Sequence, residues 1–137
     1  DADLADRVTK ENLDEAAAFA KAFAGKMNAV VAITGAIDIV ADAENAYCIY
    51  NGRPEMSSIT GTGCQLSALT AAFVTANQEQ PLEAAAAAVC AMGLAGETAY
   101  ARLSELDGNA TYRNYIIDAI YRMNGEALAA GAKFEVR

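Results

Sequence analysis

The sequence predicts an α/β fold, in which layers of helices and strands build one domain over residues 1–137. Three observations lead to this prediction: a helical pattern directly before a β-branched run, two further strand-like runs, and long apolar helical segments in the second half. The chain is long enough for one domain with its own core, and 54% hydrophobic with 20% charged residues argues against disorder.

The first helix is predicted from residue 9 to about residue 27, because apolar residues recur there at three- and four-residue steps. Thr9 is the expected N-cap, and the helix is expected on a surface. The apolar run of residues 29–33 follows and is typical of a central strand buried on both faces, so helix and strand form half of a βαβ-type unit. Thr34 then lies at the carboxyl end of that strand, where open α/β sheets bind ligands.

Two strand-like runs, residues 36–41 and 46–50, are joined by a short polar segment and followed by Asn51-Gly52. This pattern predicts a hairpin or meander. Such an element is suited to cover a site or an oligomer contact.

The second half predicts three helices. The first, from about residue 64 to 76, has hardly any polar face, so burial on most sides is expected. The second begins at Pro81 and continues to about residue 106, with Gly93 and Gly96 either disturbing it or allowing close packing.

The third helix, residues 111–123, has a tyrosine stripe that we expect in a core or an interface. Residues 132–136 are expected to form a last strand.

Charge and composition argue against two classes of partner. The formal net charge is -8 and the basic residues are scattered, which disfavours nucleic acid and anionic membranes as partners. The apolar run of residues 84–90 is bracketed by Glu83 and Glu97 too closely for a membrane span. The acidic beginning is interpreted as a solvated face without function: Asp1, Asp3, Asp6, Glu11, Asp14 and Glu15.

Cysteine usage limits the chemistry further. Cys48, Cys64 and Cys90 are widely spaced in a chain without histidine, which excludes a Cys/His metal site and disfavours a disulfide framework. Three thiols of this kind suggest a reducing cytoplasm.

The segment Gly61-Thr62-Gly63-Cys64, called the glycine turn below, opens the first apolar helix of the second half. A turn of this type exposes backbone N–H groups at the positive end of a helix dipole, which suits phosphate and would stabilise charge on a transferring phosphoryl group. A tight structural turn is the alternative interpretation. The segment is no Walker motif, and it lacks the third glycine of the dinucleotide-binding pattern.

Cys64 has two interpretations on chemistry alone. At the start of a helix the dipole favours a thiolate, which can take a proton from a substrate hydroxyl or attack an electrophile. Alternatively, Cys64 is a small packing residue, as we expect Cys48 and Cys90 to be.

Several segments form a recognisable combination when they are taken in order: VVAITG at 30–35, Asp38, NGRP at 51–54, ITGTGCQLSA at 59–68, GLAGE at 93–97 and YIIDAIY at 115–121. Together they resemble the carboxyl-terminal half of the hydroxyethylthiazole kinases, a thiamine-salvage family of the ribokinase-like superfamily. The resemblance implies a ribokinase-like layered α/β/α fold with a mostly parallel sheet flanked by helices. It also implies a homo-oligomer, a trimer with active sites at subunit interfaces, to which the hairpin and the apolar helices would contribute.

The family resemblance implies ATP-dependent phosphorylation of the hydroxyethyl group of 4-methyl-5-(2-hydroxyethyl)thiazole, with Mg²⁺. It implies that Thr34 contacts an ATP phosphate and that Gly61, Thr62 and Gly63 form an anion hole, with Gly61 also near the thiazole alcohol. It places Cys64, the candidate catalytic residue, where many ribokinase-like sugar kinases have an aspartate base. A thiol fits the role of base less well than a carboxylate.

Other interpretations stay open. A hydroxymethylpyrimidine (phosphate) kinase shares the Gly-Thr-Gly-Cys segment, but a histidine is expected before the first glycine, where this chain has Thr60. A phosphate- or nucleotide-binding module without catalysis is a second alternative, and a purely structural α/β domain is a third.

Length is the main departure from the family pattern. A complete member is expected to be about twice this long, and its amino-terminal half to supply most of the thiazole pocket, an ATP-contacting arginine and the magnesium ligands. No metal ligand is assigned in this chain, and Asp38, Asp42 and Glu44 are interpreted as solvated loop carboxylates. We therefore expect a carboxyl-terminal half that is active only when joined by the missing amino-terminal half.

Overall fold

The computed structural model describes residues 8–137, so the acidic residues Asp1, Asp3 and Asp6 lie outside it. Within that range the chain forms five α-helices, four short strands and one 3-10 turn at Pro54–Ser58. In chain order the elements are α1 (Leu13–Met27), β1 (Val31–Ile33), β2 (Asp38–Ala41), β3 (Ala46–Ile49), α2 (Thr62–Ala76), α3 (Pro81–Tyr100), α4 (Asn109–Arg122), α5 (Gly125–Gly131) and β4 (Phe134–Val136).

Helix α1 begins later than predicted. The backbone N–H of Thr9 donates to Oδ1 of Asn12 over 2.7 Å, and Asn12 occupies the N-cap position. The prediction that Thr9 caps the helix was wrong, because this local side-chain bond holds the preceding residues in a turn. The helix ends at Asn28, whose φ of 50° lies in the left-handed region that asparagine tolerates.

The four strands form one sheet in the order β1-β2-β3-β4, and all three pairings are antiparallel. The mostly parallel sheet expected from the family resemblance is therefore wrong for the part of the chain that the structure describes. Four residues join β1 to β2 and four join β2 to β3, whereas a parallel connection needs about a dozen. The predicted hairpin is confirmed: Asp42 Oδ1 accepts from the N–H groups of Glu44 and Asn45 in its turn.

Strand β1 lies at one edge of this sheet. Its residues are half-buried or exposed, and Ala32 is exposed. The prediction of a central strand buried on both faces was wrong for residues 8–137. A short β-branched run has the same composition in a central strand and in an edge strand, so only the pairing distinguishes them.

Helices cover both faces of the sheet, which confirms the layered α/β class. Ile39 and Cys48 project to one side and pack with Leu13 and other residues of α1. Val40 and Ile49 project to the other side and pack on α3. The alternation along each strand therefore produces two separate core layers.

Helix α3 is the central helix of the second layer. It is long and apolar enough to cross a membrane by length and composition, but 72% of its apolar window is buried against the sheet and the other helices. It packs on α2, α4 and α5 as well as on β2 and β3. This is the position of a core helix in a globular layer.

Three details of the helices differ from the predictions. Helix α3 ends at Tyr100, where the chain turns, and not near residue 106. Helix α5 was not predicted, since its seven residues are too short for a periodic pattern. Helix α2 has no buried residue, so its predicted burial on most sides was wrong within the described chain. Tyr112 on α4 is in the core, as predicted, and β4 confirms the last strand.

Candidate functional site

The glycine turn is left open at the start of α2. Gly61 occupies the N-cap with φ 92°, a left-handed conformation that favours glycine. No side chain caps the helix, and its first turn contains no acidic residue. Because the first N–H groups of a helix have no acceptor within the helix, those of residues 62–64 are available to an external anion.

Space in front of this turn is also open. A Cβ atom added to Gly63 would meet nothing within 4 Å, and both Gly63 and Cys64 are exposed. Thr62 is half-buried, and its hydroxyl donates to the carbonyl of Ile59 over 3.3 Å, which fixes the turn from behind. The turn therefore has the exposed donors that a phosphate group needs.

The three cysteines differ in environment. Cys48 and Cys90 are buried, as expected for packing residues, and burial raises the pKa of Cys90 to about 11, so this group stays a neutral thiol. Cys64 is exposed in the first turn of α2 and does not pack in a core of residues 8–137. Of the three thiols, Cys64 is the one that a substrate can reach.

A buried polar cluster holds the segment that leads to the glycine turn. Asn51 is 7% exposed; its amide Nδ2 donates to Glu97 Oε1 and to the Gly131 carbonyl, and its Oδ1 accepts from the Lys133 N–H. The N–H of Gly52 donates to Glu97 Oε1 over 2.9 Å, and Lys133 Nζ donates to Glu97 Oε2. One carboxylate of α3 thus joins the ends of β3 and α5.

The surroundings of Glu97 favour its ionised carboxylate, which accepts these hydrogen bonds. Burial alone would raise the pKa of Glu97, but hydrogen bonds from Lys133, Gly52 and Asn51 outweigh it and hold the pKa below its usual value. Sequence reasoning missed this role. The available signal was that Glu83 and Glu97 are the only charged residues in the twenty of α3.

The glycines of α3 bring that helix against the same segment, which confirms the close packing considered for them. A Cβ on Gly93 would lie 2.7 Å from the carbonyl carbon of Asn51, and one on Gly96 would lie 2.1 Å from Sδ of Met56. Both distances are far below van der Waals contact. A larger residue at Gly93 would push the backbone of Asn51 away from α3, whereas one at Gly96 would require the Met56 side chain to move.

A cation of α4 stands beside the glycine turn. A Cβ on Gly61 would lie 3.9 Å from Nη2 of Arg113. The start of α4 is tied to the residues before the turn, since Asn109 Nδ2 donates to the Ser58 carbonyl and the Ser58 hydroxyl donates to Asn109 Oδ1. Sequence reasoning missed Arg113, which is fifty-two residues from Gly61 in the chain and belongs to no recognisable motif.

Thr34 is exposed and follows directly after β1. It lies on a different element from the glycine turn, and among residues 8–137 no hydrogen bond joins the two. The next residue, Gly35, donates its N–H to Asp38 Oδ1 over 2.8 Å. Burial raises the pKa of Asp38 to about 6, although the bond from Gly35 opposes the change.

The three carboxylates that were interpreted as loop residues lie in different structural environments. Asp38 lies on β2 and is half-buried, so the loop interpretation was wrong for it, whereas Asp42 is a turn residue and Glu44 is exposed. Within the described range no group of three Asp, Glu, Cys or His side chains is placed to hold a metal ion. No magnesium ligand is therefore assigned within residues 8–137.

Comparison with known proteins points to one family. The profile described as the hydroxyethylthiazole kinase family matches residues 6–126. A protein of Clostridium acetobutylicum named hydroxyethylthiazole kinase is 56% identical over 135 residues, which are 98% of this chain and 50% of that protein. Hydroxyethylthiazole kinase 2 of Methanosphaera stadtmanae is 39% identical over 90% of this chain and 43% of its own length.

A solved structure agrees with these matches. The structure of a hydroxyethylthiazole kinase protein from Pyrococcus horikoshii superposes with a TM-score of 0.81 at 33% identity, covering 93% of this chain and 48% of that one. The chain spans about half the length of the relatives it matches. Sequence and fold therefore agree that this chain belongs to the hydroxyethylthiazole kinase family.

Proposed function

We propose that this chain supplies the phosphate-binding side of a kinase that transfers the γ-phosphoryl group of ATP to the hydroxyethyl group of 4-methyl-5-(2-hydroxyethyl)thiazole, in thiamine salvage. The observation that supports this most is the open glycine turn, with exposed donors, in a chain that matches a kinase family over almost its whole length. In this proposal the N–H groups of residues 62–64 stabilise negative charge that develops on the transferred group. Thr34 contacts an ATP phosphate from the end of β1.

Cys64 is proposed to lie beside the substrate hydroxyl, next to Gly61, which also contacts the thiazole alcohol. Its exposure and its place in the first turn of α2 support this position. The thiol orients the hydroxyl towards the phosphoryl group, and its role as a base is secondary because a thiol fits that role less well than a carboxylate.

Magnesium is proposed to be held by the missing half of the enzyme. Within residues 8–137 no group of three metal-ligating side chains is present, so no step is assigned to the ion on this chain. In kinase sites magnesium is usually held by one or two carboxylates together with oxygens of the substrate phosphates.

The missing half is proposed to bind along α1 and the free edge of β1. The exposed side chains of α1 include Phe19, Phe23 and Met27, with 53%, 44% and 57% exposure, and the two phenylalanine rings stack. A cavity of about 580 Å³ separates this stripe from β1. The apolar stripe and the edge of β1, which has no partner strand within residues 8–137, together suit a polypeptide that adds a strand to the sheet.

Two further proposals concern assembly and location. A homo-oligomer is proposed, with a trimer as the proposed state; α2, which has no buried residue in the described chain and exposes small side chains such as Ala68, Ala71 and Ala72, is the proposed contact. The cytoplasm is the proposed location, where Cys48, Cys64 and Cys90 remain reduced; all three are free thiols.

The first test is calorimetry on the 137-residue chain with ATP and with the thiazole alcohol. We expect weak binding of ATP and none of the alcohol, whose pocket belongs to the other half. The Gly63→Asp variant should lose ATP binding through charge repulsion, yet remain folded, because Asp is favourable in a first helical turn and the space is open. Gly63→Ala is the matched neutral control and should keep most of the binding.

Two results would contradict the proposal. Equal ATP binding by wild type and Gly63→Asp would place the nucleotide elsewhere. Binding of ATP by the chain, with no phosphorylation once the other half is present, would favour the module without catalysis.

A further inference from the structure

Arg113 is the one residue, apart from Gly61's own chain neighbours, with an atom within 4 Å of a Cβ added to Gly61 in the described chain. Its Nη2 atom lies 3.9 Å from where a Cβ of Gly61 would be, so the guanidinium faces the N-cap of α2. The side chain itself is exposed, and a ligand can reach it from solvent. Arg113 therefore lies beside the N-cap residue of the helix whose first N–H groups are those of residues 62–64.

The position of Arg113 is set by the fold. Asn109, in the first turn of α4, exchanges hydrogen bonds with Ser58, three residues before Gly61. Residues four apart share one face of a helix, so Arg113 lies on the same face as Asn109, one turn further along. The clamp between Asn109 and Ser58 thus presents Arg113 to the glycine turn.

The electrostatics of this arrangement need an anion. The start of α2 has the partial positive charge of a helix N-terminus, with no capping side chain and no acidic residue in its first turn. Arg113 adds a full positive charge and forms no ion pair within residues 8–137, although the chain has a net charge of -8. Arg122 likewise forms no ion pair within residues 8–137, whereas Arg53 pairs with Glu55, Arg102 lies over the ring of Tyr115, and Arg137 pairs with Asp14 and Glu135.

We propose that Arg113 is a phosphate-binding residue of this site, and that its guanidinium contacts oxygens of the phosphoryl group that the glycine turn holds. A guanidinium presents paired N–H donors that match phosphate oxygens, and it keeps its charge at any working pH. The inference rests on the proposed function of the glycine turn and adds a residue to it. The ligand chemistry is a phosphate monoester or the phosphates of ATP.

The test is an NMR titration of the 137-residue chain with inorganic phosphate, with ATP and with a short alkyl phosphate monoester. The amide signals of Gly61, Gly63 and Cys64 report binding at the turn, and the Nε–H signal of Arg113 reports its own contact. We expect Arg113→Gln to weaken phosphate binding about five- to tenfold and to reduce its dependence on salt, because one cation is lost. Arg113→Lys keeps the positive charge but lacks the paired N–H donors of a guanidinium, so its phosphate affinity should lie between those of wild type and Arg113→Gln.

Arg122→Gln is the matched control. It removes the same charge from the same helix, nine residues further on, which is about 13 Å and beyond the Debye length at 0.1 M salt. We expect phosphate binding by this variant to equal that of wild type. If Arg113→Gln weakens the binding of ATP and the monoester does not bind, Arg113 contacts the nucleotide phosphates. If Arg113→Gln weakens the binding of both ATP and the monoester, Arg113 contacts the phosphoryl position that the two ligands share.

The outcomes separate the two proposals. If phosphate shifts the amide signals of the glycine turn with the same affinity in wild type and in Arg113→Gln, the role of Arg113 is overturned and the turn remains the anion site. No shift of the turn signals with any of the three probes would overturn both. Equal losses in Arg113→Gln and Arg122→Gln would reduce the effect to net charge and also refute the inference.

Discussion

Gly93→Ala tests how tightly α3 must approach the segment that leads to the glycine turn. The added Cβ would lie 2.7 Å from both the carbonyl carbon and the Cβ of Asn51, and 2.8 Å from its carbonyl oxygen. These distances are about 1 Å shorter than ordinary carbon contacts. Asn51 cannot move freely, because its side chain forms three hydrogen bonds with Glu97, Gly131 and Lys133.

The expected change follows from two opposing effects. Overpacking of a tight contact costs about 1–3 kcal/mol, and more where buried hydrogen bonds break. Alanine in a helix interior recovers up to about 1 kcal/mol relative to glycine. The free energy of unfolding should therefore fall by about 1–2 kcal/mol in Gly93→Ala.

Urea denaturation followed by circular dichroism measures this difference. Gly125→Ala is the matched control: nothing lies within 4 Å of its added Cβ, so its stability should be equal to wild type or up to about 1 kcal/mol higher. A Gly93→Ala variant as stable as Gly125→Ala would refute the close approach of α3 to Asn51.

Further predictions concern charge, chemistry and conformation. Asp38 has a folded pKa of about 6 against 3.8 for the free group, so the stability that it contributes is present at pH 4 and is lost as pH rises to 6, by at most about 3 kcal/mol. Asp38→Asn should remove that dependence in urea unfolding at pH 4 to 7, while an unchanged profile would count against burial of this carboxyl. Cys64→Asp in a complete enzyme should preserve turnover, measured as thiazole phosphorylation; loss of turnover with intact folding would contradict the placement of Cys64. Gly61→Ala should lower stability by about 1 kcal/mol in urea, since its φ of 92° strains any other residue, and an unchanged midpoint would argue against that turn.

Local patterns predicted most of the elements. The polar turn at Asp42 and the alternating runs around it specify a hairpin without help from the rest of the chain. Strand β1 was predicted as a central strand because residues 31–33 have that composition, whereas within residues 8–137 they pair only with β2. The burial predicted for α2 failed for the same reason, since α3 is the main helix that packs on it here.

The residues of the candidate site likewise include some that local sequence predicts and others that only the packing of distant segments places. A glycine turn before a helix can be found from neighbouring residues, because its donors are its own backbone. Glu97 and Arg113 act over separations of forty-five and fifty-two residues, so their contacts follow from the packing of α3 and α4. Glu97 could have been noticed because it is one of only two charged residues in the apolar helix α3, whereas an exposed arginine on α4 has no such signal.

The most direct test of the central claim is a kinase assay on the 137-residue chain with and without the amino-terminal half of the Clostridium acetobutylicum relative. The proposal predicts phosphorylation of the thiazole alcohol by ATP only in the mixture, and at least a hundredfold loss when Gly63→Asp replaces the wild-type chain. Gly63→Ala should keep most of the activity of the mixture. Full activity from the 137-residue chain alone, or equal activity with Gly63→Asp, would contradict the claim that this chain supplies the phosphate-binding side of a divided site.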